Sequence, residues 1–141
     1  MATAERFEDL IAWQKARLLS KEIYAVTRRT IFNQDIDLRR QIRRAAVSTM
    51  SNVAEGFDRH GPGEFYQFLG WARGSASEVR SQLYVALDNG FLSVSDFDRL
   101  HAQASECSRV IGGLQAYIKT CKPRKQTARA KTTNYEPRTT N

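Results

Sequence analysis

Apolar residues return every three to four positions through most of this chain, and that spacing divides it into four helical segments. The first covers about residues 7–29 and carries Leu10, Trp13, Ala16, Leu19, Ile23 and Val26 on one stripe. Residues 30–37 break the period and supply Asn33, Asp35 and Asp37 as candidate caps, so a short connection precedes a second helix over about 38–57. Leu38, Ile42, Ala45, Thr49 and Val53 form its stripe. Gly61 and Pro62 mark a turn, and a third helix follows over about 63–88, with Phe65, Phe68, Leu69, Ala72, Ala76, Val79, Leu83 and Ala86 in phase. Asn89-Gly90 ends it. Ser93-Val94-Ser95-Asp96 reads as a cap for a fourth helix carrying Phe97, Leu100, Ala104, Cys107, Ile111, Leu114 and Ile118 as far as about residue 121, where Pro123 stops it.

No strand pattern and no fixed-period repeat interrupts this series. Four helices with short connections predict an all-α fold: an up-down-up-down antiparallel four-helix bundle over residues 1–121, with Phe32 plugging one end. The alternative is a pair of long helical hairpins that complete their core by oligomerising. Residues 122–141 hold Lys, Arg, Thr, Asn and two prolines with one aromatic, too little apolar area to offset ordering entropy, and read as a disordered basic tail.

Charge refines the picture. A chain of 141 residues is enough for one domain with its own core. Its net charge of +7 is uneven: residues 1–121 contribute +2 and residues 122–141 contribute +5. A basic balance favours nucleic acid or another polyanion as partner. Cys107 and Cys121 lack metal or redox spacing and read as free thiols of a reducing, cytoplasmic compartment. The N-terminus lacks the pattern of a signal peptide, and no apolar run approaches bilayer-spanning length, so no membrane role is expected.

Within the second helix, Arg39, Arg40, Arg43 and Arg44 fan out beside the apolar stripe, held at fixed spacing by the helix. Guanidinium forks engage phosphate oxygens bidentately, which makes these four the candidate nucleic-acid contacts, joined by Lys122, Arg124 and Lys125 of the tail. For Arg43 and Arg44 the competing reading is burial along neighbouring helices with Glu55 and Glu78 as carboxylate partners. Asn52 and Glu55 do not make a catalytic pair, since no histidine, second carboxylate or nucleophile is spaced to complete one. They read as a structural polar network with Ser75 and Glu78. The run Gly74-Ser75-Ala76-Ser77 permits close helix approach and lacks the lysine of a phosphate loop. His60 and His101 have no ligand-spaced neighbours, so neither metal nor cofactor is expected. Of Trp13, Tyr24, Phe65, Tyr66, Phe68, Trp71 and Tyr84, only Tyr66 and Trp71 are expected to reach the surface, as interface markers.

Several segments together resemble a known family: Gln41-Ile42-Arg43-Arg44-Ala45-Ala46-Val47-Ser48, Asn52-Val53-Ala54-Glu55-Gly56, Phe68-Leu69 and Ala72-Arg73-Gly74-Ser75-Ala76-Ser77-Glu78. They are similar to the four-helix bundle proteins encoded in intervening sequences of bacterial 23S ribosomal RNA genes, a family that includes the accessory variability determinant proteins of diversity-generating retroelements. The resemblance covers about residues 7–120. It implies a non-catalytic basic bundle assembled as a homopentameric ring and, in the retroelement branch, bound to RNA and a reverse transcriptase. The shared residues are mainly those that build the bundle and are common to both branches. This chain departs from the pattern at Thr49-Met50-Ser51, where an Ile-Pro step is expected, which implies a straighter second helix. The reading is therefore an RNA-binding accessory protein and no enzyme. Its rival is a protein scaffold whose arginines serve subunit contacts.

Overall fold

Among the described residues four α-helices form in the predicted order: α1 (Ile11–Thr27), α2 (Ile36–Asp58), α3 (Pro62–Asp88) and α4 (Val94–Thr120). The computed structural model describes residues 3–59 and 61–121, and no strand occurs among them. The expected tail with Lys122, Arg124 and Lys125 lies outside the described residues, as does His60.

Local chemistry sets the boundaries. The Asp35 carboxylate accepts from the Leu38 main-chain N–H at 2.9 Å, so α2 starts at Ile36, two residues earlier than its apolar stripe suggests. Ser93 Oγ caps α4 by accepting from Asp96 N–H at 3.1 Å. Pro62 occupies the first turn of α3, where its missing N–H costs nothing. Gly90, at φ 74°, takes the left-handed conformation that ends α3 and lets Phe91 N–H reach Ala86 O at 2.9 Å. The first segment differs from expectation. Phe7–Asp9 is a 3-10 turn, Leu10 is extended, and α1 starts only at Ile11. Asp9 is the cause: its carboxylate accepts the main-chain N–H groups of Glu5 and Arg6, each at 3.2 Å, and closes the turn on itself.

Each helix packs on the next, and α1 also packs on α4, closing a four-sided bundle. Neighbours run antiparallel, as cross-helix pairs show: Ser48 meets Ser75 while Gly56 meets Phe68. Lys15 meets Glu106 while Glu22 meets Arg99. One core joins all four helices, with Leu19, Ile23, Ile42, Val53, Leu69, Leu83, Leu100 and Ile111 no more than 1% exposed. Each such side chain contributes about 1.5–3 kcal/mol through burial. Phe32 is fully buried and tilts against Phe91 at 5.5 Å, closing one end. The helix α2 continues unbroken through Thr49-Met50-Ser51, and Thr49 Oγ1 donates to Ala45 O at 2.9 Å within it.

Candidate nucleic-acid interface

The cap at Asp35 fixes the phase of α2, which turns Leu38 and Ile42 inward and divides the arginine cluster in two. Arg39 and Arg43 flank the buried stripe and are half-buried. Arg40 and Arg44 lie on the outer face and are exposed.

Arg43 belongs to the bundle. Its Nε donates to Thr27 Oγ1 at 2.8 Å, and its guanidinium lies over the Tyr24 ring at 4.5 Å from the centroid. Thr27 donates in turn to Ile23 O at 2.7 Å, so one buried hydroxyl is satisfied on both sides. Arg39 donates to Asn33 Oδ1 in the preceding connection. Neither arginine touches a carboxylate among the described residues. Glu55 pairs instead with Arg59 at 3.3 Å, and Glu78 makes no ion pair among the described residues, so the expected carboxylate partners of Arg43 and Arg44 are not what the structure supplies. Tertiary placement decides this: Thr27 and Tyr24 lie across the α1–α2 seam, nearer to Arg43 than either glutamate.

Arg40 and Arg44 have no hydrogen-bond or ion-pair partner among the described residues, and Asp37, one turn before Arg40, does not reach it. Arg28, which follows Thr27 at the end of α1, is also exposed and unpaired there. The apolar stripe alone did not single it out. The visible signal was a cation just past the last turn of a helix, where the dipole favours positive charge. The α1–α4 seam contrasts with this face. There Lys15 pairs with Glu106 at 3.0 Å, Arg99 with Glu22 at 2.7 Å, and Arg29 with Asp96. The Arg29 guanidinium holds the Asp96 carboxyl below its ordinary range, and the Lys15 ammonium does the same for Glu106. The cations of that seam are paired, whereas Arg40 and Arg44 on the outer face of α2 carry no ion pair among the described residues.

Between α2 and α3, Ser48 Oγ accepts from Ser75 Oγ at 3.0 Å and from Asn52 Nδ2 at 3.1 Å, and Asn52 Nδ2 also donates to Ser48 O at 2.9 Å. Asn52 and Ser75 thus meet through Ser48, a residue the sequence reading did not include in the network. Glu55 and Glu78 form no hydrogen bond within it, because Glu55 turns to Arg59 and Glu78 stands at the surface. Tyr66 and Trp71 are 40% and 45% exposed, and Trp71 lies edge-on to Phe68 at 4.9 Å. Tyr84 corrects the sequence reading: it is 50% exposed, with its ring leaning on Phe97 at 4.8 Å and on His101 at 5.5 Å. Cys107 is buried, and desolvation pushes its thiol up to about 12, while Cys121 is exposed. Among the described residues no cluster of three His, Cys, Asp or Glu is placed to hold a metal, and no helix is long and apolar enough to cross a membrane.

Fold and surface together define an all-α four-helix bundle whose distinctive chemistry sits on outer helix faces. A family profile described as 23S rRNA-intervening sequence protein matches residues 8–113, and the chain belongs to that family. Among solved structures, a protein of unknown function from the S23 ribosomal protein family of Bacteroides thetaiotaomicron is similar, with a TM-score of 0.69 and 17% identity, covering 78% of this chain and 100% of that one. At that identity the likeness shows the shared fold. No curated protein matches the chain.

Proposed function

We propose that this protein is a non-catalytic, cytoplasmic RNA-binding accessory protein that works as a homo-oligomeric ring, a pentamer on the family resemblance. The observation that carries the reading is the pair Arg40 and Arg44, one turn apart on α2, exposed and without a carboxylate partner among the described residues. The helix sets the two side chains one turn apart, about 5–6 Å between their Cβ atoms, which puts both within reach of neighbouring phosphate groups. With a charge of only +2 over residues 1–121, one protomer attracts weakly. Symmetric repetition around a ring multiplies the patch and the residence on a long RNA. In the retroelement branch of the resemblance the same ring would dock a reverse transcriptase with its RNA.

Neutralising both side chains (R40Q/R44Q) in the full chain tests this. Gel-shift titrations against single-stranded RNA should lose affinity, and the slope of log affinity against log salt should flatten by about 1.4 for each protomer that contacts the RNA, near 0.7 for each phosphate left without its arginine. Unchanged affinity and slope would refute it.

A second reading, a protein scaffold with no direct RNA role, is favoured by one observation: the outer face of α3 exposes Tyr66, Trp71, Tyr84 and Val85 at 40%, 45%, 50% and 43%. Such a surface binds by apolar burial. Its complexes should change little between low and high salt, whereas phosphate contacts weaken steeply.

A further inference from the structure

A groove of about 450 Å³ opens between α2 and α3, on the surface beyond the Ser48 network. Ser48, Asn52, Trp71, Gly74, Ser75 and Glu78 line it. Its hydrogen-bonding character follows from which donors are already engaged. Asn52 Nδ2 donates to both Ser48 O and Ser48 Oγ, and Ser75 Oγ donates to Ser48 Oγ. Among these groups, Asn52 Oδ1 and the Glu78 carboxylate remain as acceptors with no partner among the described residues, against one unengaged donor, the Ser48 hydroxyl. No lysine or arginine lines the groove among the described residues, and the Trp71 ring stands on its rim, 45% exposed. A Cβ built on Gly74 would meet nothing within 4 Å, so the wall there is open main chain with room for a ligand. An unpaired carboxylate, a free amide carbonyl and an exposed indole repel an anion and match a planar, donor-rich cation.

We infer that the α2–α3 groove is a binding site for a guanidinium side chain, the arginine of a polypeptide, seated between the Trp71 ring and the Glu78 carboxylate. The site is distinct in chemistry from the outer arginines of α2. One face of the helix pair offers cations to phosphate, and the adjoining groove offers acceptors to a basic protein segment. A protein that meets RNA partners at one surface would then hold their basic polypeptides at the other.

The test uses the full chain labelled with 5-fluorotryptophan. Its two tryptophans, Trp13 and Trp71, give two fluorine resonances, and Trp13, on α1, serves as the internal control. Titration with N-acetyl-arginine amide should shift the Trp71 signal and leave Trp13 unmoved. The neutral isostere N-acetyl-citrulline amide should do nothing. The variant Glu78→Gln alters an exposed side chain with no structural partner among the described residues and should weaken the arginine probe about 3–10-fold. Equal shifts with citrulline, or an unchanged affinity in Glu78→Gln, would overturn the site. A further arm identifies the source of the guanidinium. Higher probe affinity in R124Q/R129Q/R138Q, which removes every arginine of residues 122–141, supports the site with that segment of this chain as the occupant. Unchanged affinity in that variant supports it with another polypeptide as the occupant.

Discussion

Replacing Gly56 with alanine should cost this bundle about 2 kcal/mol, against the ordinary gain from removing a helical glycine. Gly56 is buried near the end of α2, where that helix crosses α3. A Cβ placed there would stand 2.5 Å from Phe68 Cβ and 3.1 Å from Phe65 Cδ1. Carbon atoms rest at about 3.5–4.0 Å, and Phe68 Cβ is fixed to the α3 main chain, so no rotamer change clears the clash. The two helices must part by about 1 Å. Forcing extra volume into a packed interior costs about 1–3 kcal/mol, and this rigid contact belongs at the upper end. The propensity gain of up to about 1 kcal/mol offsets part of it, and only part, since Gly56 lies in the last turn. Gly113→Ala is the matched control: mid-helix in α4, exposed, with nothing within 4 Å of the new Cβ. It should stabilise by somewhat under 1 kcal/mol. Urea denaturation at one fixed protein concentration checks both, with the midpoint of Gly56→Ala falling by roughly 1 M and that of Gly113→Ala rising. A Gly56→Ala midpoint equal to or above that of the parent would refute the close-approach argument.

Three other expectations follow from the structure. Thr27→Val removes the hydroxyl that receives Arg43 Nε and should destabilise by about 1–2 kcal/mol in the same urea assay, since a partly buried guanidinium loses its acceptor. Asp96→Asn probes pH dependence: because Arg29 lowers the folded carboxyl below its unfolded value, the pair stabilises above the ordinary carboxylate range and ceases to as pH falls through the lowered value. The variant should therefore lose about 0.5 kcal/mol at pH 7 and match the parent in strong acid, as read by thermal melts across pH. A thiol reagent at pH 8 should label Cys121 promptly and Cys107 only after denaturation, because burial raises the Cys107 thiol to about 12.

Helix order, caps and core were legible in the sequence because each depends on residues close together in the chain. The 3.6-residue period, Asp35 before α2, Ser93 before α4 and Asn89-Gly90 after α3 are all local signals. The break at Leu10 was missed since the apolar period runs straight through it, and only the Asp9 carboxylate folding back on two amides interrupts the helix. The arginine cluster was visible as a cluster, but its division was not. Arg43 is taken inward by Thr27 and Tyr24 from another helix, and no spacing within α2 encodes that. The same limit explains Tyr84, which repeats at helical spacing yet lies just past the edge of the core, and Ser48, whose place as the hub between Asn52 and Ser75 depends on the register of α2 against α3.

The burial of Phe32 against Phe91 bears on how copies of this protein can come together. Phe32 belongs to the connection between the first two helices, and Phe91 to the connection between the last two. That aromatic rivet fastens the first half of the chain to the second at the end of the bundle opposite the α2–α3 connection, about which the halves would swing apart. In any assembly of copies, exchange of halves between them would first have to pull the rivet out into water.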